Sequence, residues 1–237
     1  MLKIISFSVW GNKDKYLTGC IENIKLVEKI YPGWITRFYC DSNLNKDFIS
    51  LLKNMGAEVV IKKTIQNNWE GLFWRFLPAS EADIFISRDI DSRLNEREKA
   101  AVDEWLSSDK DIHCMRDHIE HNVPILGGMW GCRNKIIPNM NDLVNEWTSN
   151  NYKGSDQDFL RTKIWTKYVN NIIVHDKYYN GLIVKNGKHT QGTINSDQND
   201  SDFDYVYDPI RFFGNHLIKP FPNHRKMTNG TYVGEII

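Results

Sequence analysis

ADIFISRDIDSR, residues 82–93, passes from apolar to charged at one point, and the rest of the chain is read outward from it. Ile84, Phe85 and Ile86 form a short run suited to a buried strand, and Arg88, Asp89, Asp91 and Arg93 follow it directly. In an open α/β sheet, ligands bind outside the carboxyl ends of the strands, so acids at such an end stand where a ligand would be held. Two carboxylates so close together repel each other unless a cation lies between them, and hard oxygen donors of this kind suit Mg²⁺ or Mn²⁺. The plainer alternative is that Asp89 and Asp91 only end a strand and begin a turn, which Asp does often.

Upstream of this stretch the pattern alternates. Leu2 to Val9 is β-rich and little alternating, as in a strand buried on both faces, and Trp10, Gly11 and Asn12 break it. Tyr16 to Ile30 carries Leu17, Cys20, Ile21, Ile24, Val27 and Ile30 at helical spacing, with Pro32 and Gly33 as the stop. Thr36 to Cys40 reads as a strand ending at Asp41, Asn45 to Met55 as a helix stopped by Gly56, and Glu58 to Lys62 as a further strand. Strand, helix, strand, helix, strand implies a parallel, right-handed array with helices on both faces. Trp69, Leu72, Phe73, Phe76 and Leu77 then form a stripe at helical spacing, with Trp74 and Arg75 beside it.

Downstream, Asn95 to Ser107 is expected as a helix, with Asn95 and Glu98 as a capping-box-like pair. Ile112 to Arg116 reads as a strand ending at Asp117. Ile125 to Cys132, ILGGMWGC, is too glycine-rich for a plain strand interior, so something must approach its backbone closely. Asn141 to Trp147 is helical, a further helix begins near Ser155, and Asn171 to His175 is a short strand. His189 to Asp204 is polar, acidic and almost without large apolar groups, which suits a mobile loop or lid.

Charge balances at 30 basic against 30 acidic residues with no basic stripe, which argues against nucleic acid as a partner. Cys20, Cys40, Cys114 and Cys132 are scattered without a C-x-x-C, as expected of buried free thiols in a reducing compartment. The first residues read as a strand rather than a signal sequence, and no window is long and apolar enough for a transmembrane segment, so a cytoplasmic protein is expected. The 237 residues are expected to form a single domain.

Taken in order, a Rossmann-like amino half, the aromatic and basic FWRFL, the strand ending in D-x-D, GGMWG, the D-Q-D-x-L helix start and a late His with Lys-Pro resemble the GT-A-fold, nucleotide-sugar-dependent glycosyltransferases. The resemblance implies an α/β fold with a mostly parallel central sheet flanked by helices. It also implies a nucleotide-binding half over 1–93, an acceptor-binding half over 94–237, a UDP- or GDP-sugar donor and a glycan acceptor. In such enzymes Asp91 would bind the metal, and Asp89 would reach the ribose or the metal. Arg75 and Arg88 would neutralise the diphosphate unless salt bridges with nearby acids occupy them. Asp41, in YCDSN, matches a contact to the nucleobase or is a turn residue, and Ser8 and Trp10 match the nucleotide site, with core packing as the alternative for Trp10.

On the acceptor side, Gly127 and Gly128 would admit a sugar ring and Trp130 would stack on it, unless Trp130 is a core residue beside glycine bulges. Asp156 and Asp158 are explained by helix capping and the helix dipole, or, in an inverting enzyme, one of them takes the acceptor proton. His216 and Lys219 in HLIKPFP resemble the late metal-binding His and diphosphate-binding Lys of glycogenin-like and lipopolysaccharide galactosyltransferases, although the glycine precedes the His and Phe221 replaces a Trp. His118 and His121 are read as surface histidines. Two rivals share the fold: a sugar-phosphate nucleotidyltransferase, disfavoured by the single glycine in WGNKDK, and a catalytically silent carbohydrate-binding protein.

Overall fold

The computed structural model describes residues 1–11, 13–63, 69–116, 121, 123–147, 152–176, 183–185, 188–190 and 217–219. In chain order the strands are β1 (Lys3–Val9), β2 (Ile35–Asp41), β3 (Glu58–Lys62), β4 (Ile84–Arg88), β5 (Ile112–Arg116), β6 (Met129–Arg133), β7 (Ile172–Asp176), β8 (Ile183–Lys185), β9 (Lys188–Thr190) and β10 (Leu217–Lys219). Among them run α1 (Asp14–Ile30), α2 (Lys46–Asn54), α3 (Gly71–Trp74), α4 (Glu96–Leu106), α5 (Met140–Trp147) and α6 (Ser155–Phe159). Eight strands form one sheet in the order β10-β7-β5-β6-β4-β1-β2-β3, and β8 and β9 pair separately. Only β6 runs against its neighbours β4 and β5; the other paired strands of the large sheet are parallel. The fold is therefore α/β, with a mostly parallel sheet flanked by helices.

Side-chain alternation along β4 divides the core in two. Ile84 and Ile86 face a cluster built on Ile5, Phe7, Phe38, Val102 and Trp105, which lies under α1, α2 and α4. Phe85 faces the opposite cluster, with Phe73, Phe76, Trp130, Phe159 and Trp165. Phe76 and Phe85 both meet Trp130 edge to face, at centroid separations of 5.5 and 5.2 Å.

Local sequence signals explain most boundaries. The Asn45 side chain accepts from the amides of Asp47 and Phe48 at the start of α2, and Asn95 accepts from Glu98 N at the start of α4. Gly56, at φ +90°, follows α2 in the left-handed region where a side chain would be strained. The stripe from Trp69 to Leu77 does not form one helix. It divides into the single turn α3 and a 3₁₀ turn over Leu77–Ser80, where Pro78 lacks the N–H that a continuing helix needs. All four cysteines are buried free thiols, and among the described residues no helix is long and apolar enough to cross a membrane.

Candidate functional site

The strand order reverses between β1 and β4: the chain builds outward from β1 through β2 to β3, then returns to place β4 on the other side of β1. A crevice opens outside the carboxyl ends of adjacent strands at such a switch point. Three adjoining cavities occupy it. One of about 460 Å³ lies past β1 and β2, walled by Trp10, Tyr16, Asp41, Asn43 and Trp69. A middle cavity of about 190 Å³ is lined by Ser8, Trp10, Arg75, Asp89 and Asp91. A third, of about 270 Å³, lies among Asp89, His121, Gly127, Gly128, Asp156 and Gln157. Trp69 lines all three.

α1 clamps the loop that carries the acids. A side-chain carbon on Gly19 would stand 2.0 Å from the Ile90 carbonyl, so only glycine lets the helix pass this close. Asn23 donates to Ser92 O at 2.9 Å and accepts from Leu94 N at 3.2 Å, while Arg93 pairs with Glu22 at 3.3 Å. The loop is therefore held before any ligand arrives. Asp91 meets Lys15, from the first turn of α1, at 2.8 Å, with both side chains well exposed.

Arg75 occupies the centre. Its backbone amide donates to Ser8 Oγ at 3.0 Å, which ties the end of α3 to the end of β1. Its guanidinium bridges two acids, Nη1 to Asp89 Oδ1 and Nη2 to Asp156 Oδ2, the latter at 2.9 Å. Arg75 and Asp156 are buried, whereas the Asp89 side chain is 46% exposed. Burial holds the Asp156 carboxyl above its ordinary value; Arg75 pulls the other way and Asp89 adds to the rise.

The glycine pair makes room for this bridge. A side-chain carbon on Gly127 would lie 2.3 Å from Asp156 Oδ2 and 2.5 Å from Arg75 Nη2, and one on Gly128 would lie 2.1 Å from Asp89 Oδ2. The groups that approach Gly127 and Gly128 on that side are thus the protein's own ion pairs, while both glycines also line the third cavity. Ser87 Oγ, donating to Gly127 O at 2.7 Å, fixes the same loop from β4.

Other expected site residues lie elsewhere. Trp130 is fully buried between Phe76 and Phe85, so its ring has no face open to a sugar. Arg88 shares the parity of Ile84 and Ile86 and points beneath the sheet, where it pairs with Glu98 of α4 and donates to Ser87 O and Trp130 O; it does not reach the crevice. Asp156 and Asp158 stand two residues apart on a helix and diverge. Asp158 binds Arg161 at 3.0 Å and accepts from the Tyr152 hydroxyl, outside the residues that line the crevice. Ser8, Trp10, Asp41, Arg75, Asp89, Asp91, Gly127, Gly128 and Asp156 come together along the crevice. His216, His118 and residues 191–204 lie outside the described residues, and Lys219 is described only through its place in β10.

Tyr16, Trp69 and His121 line the crevice without having been expected there. His121 is 9% exposed and is not a surface histidine. Its H-x-x-H spacing gave no sign of this, because what makes it a neighbour of Gly127, Gly128 and Asp156 is tertiary and not encoded in local spacing.

Among the described residues no three His, Cys, Asp or Glu side chains group so as to hold a metal ion by themselves. Asp89 and Asp91 meet a smaller requirement. An ion of the Mg²⁺ type keeps one or two carboxylates and completes its shell with water and substrate phosphates, and both acids line one cavity with part of each carboxylate open.

No protein-family model and no curated protein matches the chain. Among solved structures it is similar to glucosyl-3-phosphoglycerate synthase from Mycobacterium tuberculosis in complex with Mn²⁺, UDP and phosphoglyceric acid, with a TM-score of 0.48 and 11% identity over 74% of this chain and 68% of that one. It is similar to a glycosyltransferase involved in glycosylation of the major capsid of PBCV-1, with a TM-score of 0.46 and 16% identity over 73% and 81%. A third similarity is to the mannosyltransferase PcManGT from Pyrobaculum calidifontis in complex with GDP-Man and Mn²⁺, with a TM-score of 0.48 and 12% identity over 70% and 52%.

Proposed function

We propose that this chain is a metal-dependent glycosyltransferase that moves a sugar from a nucleoside-diphosphate sugar to a hydroxyl of a glycan acceptor. The observation that carries the reading is the placement of Asp89 and Asp91, half-open carboxylates at the end of β4, in one crevice with an aromatic-walled cavity on one side and the buried acid Asp156 on the other. The nucleoside enters the cavity of Trp10, Tyr16 and Trp69, where rings can stack on a base and Asp41 can accept from its N–H groups. The diphosphate lies over Ser8 and Arg75, against Asp89 and Asp91. These two acids would hold Mn²⁺ or Mg²⁺, which when bound neutralises charge on the departing diphosphate.

In the transfer, the bond from the anomeric carbon to the diphosphate oxygen breaks and a bond to the acceptor oxygen forms. Arg75 supplies fixed positive charge that needs no reorganisation as the leaving group gains negative charge. Asp156 would take the acceptor proton in an inverting transfer, a role supported by its place in the third cavity and by burial, which raises its carboxyl above the ordinary value. Lys219 would meet the diphosphate and His216 would be a third metal ligand, as the resemblance of HLIKPFP implies.

The test is release of nucleoside diphosphate from UDP- and GDP-sugars in the presence of Mn²⁺ and a panel of glycans. Turnover with one donor that is lost in Asp91→Ala supports the reading. Turnover unchanged in Asp91→Ala, or none with any donor while nucleotide and metal also fail to bind, contradicts it.

A further inference from the structure

Among the described residues β3 is the last strand at one edge of the sheet, and its middle is both apolar and exposed. Val60 is 36% and Ile61 47% exposed, and Leu51 of the neighbouring α2 is 42% exposed. Edge strands are commonly blunted by a central Lys, a Pro or a bulge, because their unpaired N–H and C=O groups template pairing with another chain. The middle of β3, Val59 to Ile61, is uncharged and β-branched and holds none of these devices. Its charges stand only at the ends, Glu58 first and Lys62 last.

Backbone direction fixes which groups face outward. Lys62 O accepts from Ser42 N, at the end of β2, so Lys62, Val60 and Glu58 turn their backbone groups inward. By alternation, those of Val59 and Ile61 face away from β2, toward the side that no described strand covers. An antiparallel copy centred on Val60 sets Val59 opposite the partner's Ile61, so that both residues exchange N–H···O bonds. Val60 then meets its own counterpart, and Glu58 stands opposite the partner's Lys62. The sequence EVVIK is thus self-complementary in charge when paired with itself in reverse. Glu58 already accepts from Arg37 Nε at 2.7 Å, yet its side chain stays 45% exposed and open to a second cation.

We infer that β3 is a homodimer interface, on which a second copy of this chain adds its own β3 antiparallel and joins the two sheets across a two-fold axis at Val60. A two-fold contact must be self-complementary, and EVVIK meets that condition in both hydrogen bonding and charge. The inference is independent of the catalytic reading.

The test joins light scattering over a concentration series with cross-linking. The wild-type chain of 27.8 kDa is expected to approach twice that mass as concentration rises. Lys62→Glu sets Glu against Glu and returns the chain to one copy, and Glu58→Lys combined with Lys62→Glu restores the doubled mass. At the axis, non-hydrogen-bonded antiparallel residues lie about 4.5 Å apart between Cα atoms, within the roughly 4.4–6.8 Å that a disulfide spans. Val60→Cys treated with diamide should therefore cross-link two copies at least tenfold faster than Ser50→Cys, an exposed control on α2. The native thiols are all buried and do not compete. A wild-type chain that stays at one copy throughout, a doubled mass indifferent to Lys62→Glu, or equal cross-linking of the two cysteine variants overturns the inference.

Discussion

Two arginines at the ends of neighbouring elements pair with acids in opposite ways. Beneath the sheet, Arg88 and Glu98 are both closed from water, each side chain 4% exposed, and backbone carbonyls take two further donations from Arg88. Above it, Arg75 is as deeply buried but divides its guanidinium between Asp156, which is closed, and Asp89, which is nearly half open. Chemistry of the same kind has different consequences. A closed pair can only hold the fold, because every partner is internal. A pair with one open carboxylate leaves a charge that a ligand can claim, and the fold must be built around it, as Gly127 and Gly128 are.

The contrast can be broken from either side. The largest effect is expected from Glu98→Ala, which leaves Arg88 buried without its acid and should cost about 3–5 kcal/mol of stability in urea unfolding. Nucleotide affinity per folded molecule should not change; a loss of affinity without a loss of stability would place Arg88 in the site.

Asp156→Asn should lower transfer by about 10²–10⁴-fold, as expected for removal of a general base, with a far smaller effect on donor affinity. The acid limb of the wild-type rate profile should lie above pH 3.8, the ordinary value from which this carboxyl is raised, and should vanish in the variant. Stability follows the same sign. A raised carboxyl favours the protonated native state, so its contribution is full below the ordinary carboxylate range and is lost as pH rises through the raised value. A limb unmoved by the substitution would assign the proton to another group.

Gly128→Ala pushes a methyl against Asp89 Oδ2 and should reduce transfer by about 10²-fold through displacement of that acid. The smallest effect is expected from Lys15→Ala. Its exposed pair with Asp91 is worth at most about 1 kcal/mol to the fold, and its removal should leave the melting temperature almost unchanged.

Much of this was legible in the chain itself. The elements from β1 to β3 followed from hydrophobic period and from glycine and proline stops, and the acids after Ile86 marked the end of β4. For Arg88 and Trp130 the fold takes the plainer alternatives, a salt bridge and core packing, and alternation bears on the first: Arg88 has the parity of Ile84 and Ile86, and both of those face the core under α4. Likewise, Asp156 and Asp158 could not share a face of a helix at that spacing. The single helix expected over Trp69 to Leu77 failed because Pro78 overrode a periodic stripe. The glycines of ILGGMWGC announced a close approach to their backbone, but that Arg75, Asp89 and Asp156 make it, and that His121 lies beside them, was not legible, since it depends on contacts between distant segments.

The central claim, that the crevice between β1 and β4 holds a nucleoside diphosphate through Asp89 and Asp91 with a divalent cation, is tested most directly by thermal unfolding with UDP or GDP, with and without Mn²⁺. At about 100 times its dissociation constant a ligand specific to the native state adds about 2.7 kcal/mol. The expected result is such a gain with one nucleotide, dependent on Mn²⁺, present in Glu98→Gln and absent in Asp91→Ala. No gain with either nucleotide in the presence of Mn²⁺, or an equal gain in Asp91→Ala, would contradict it.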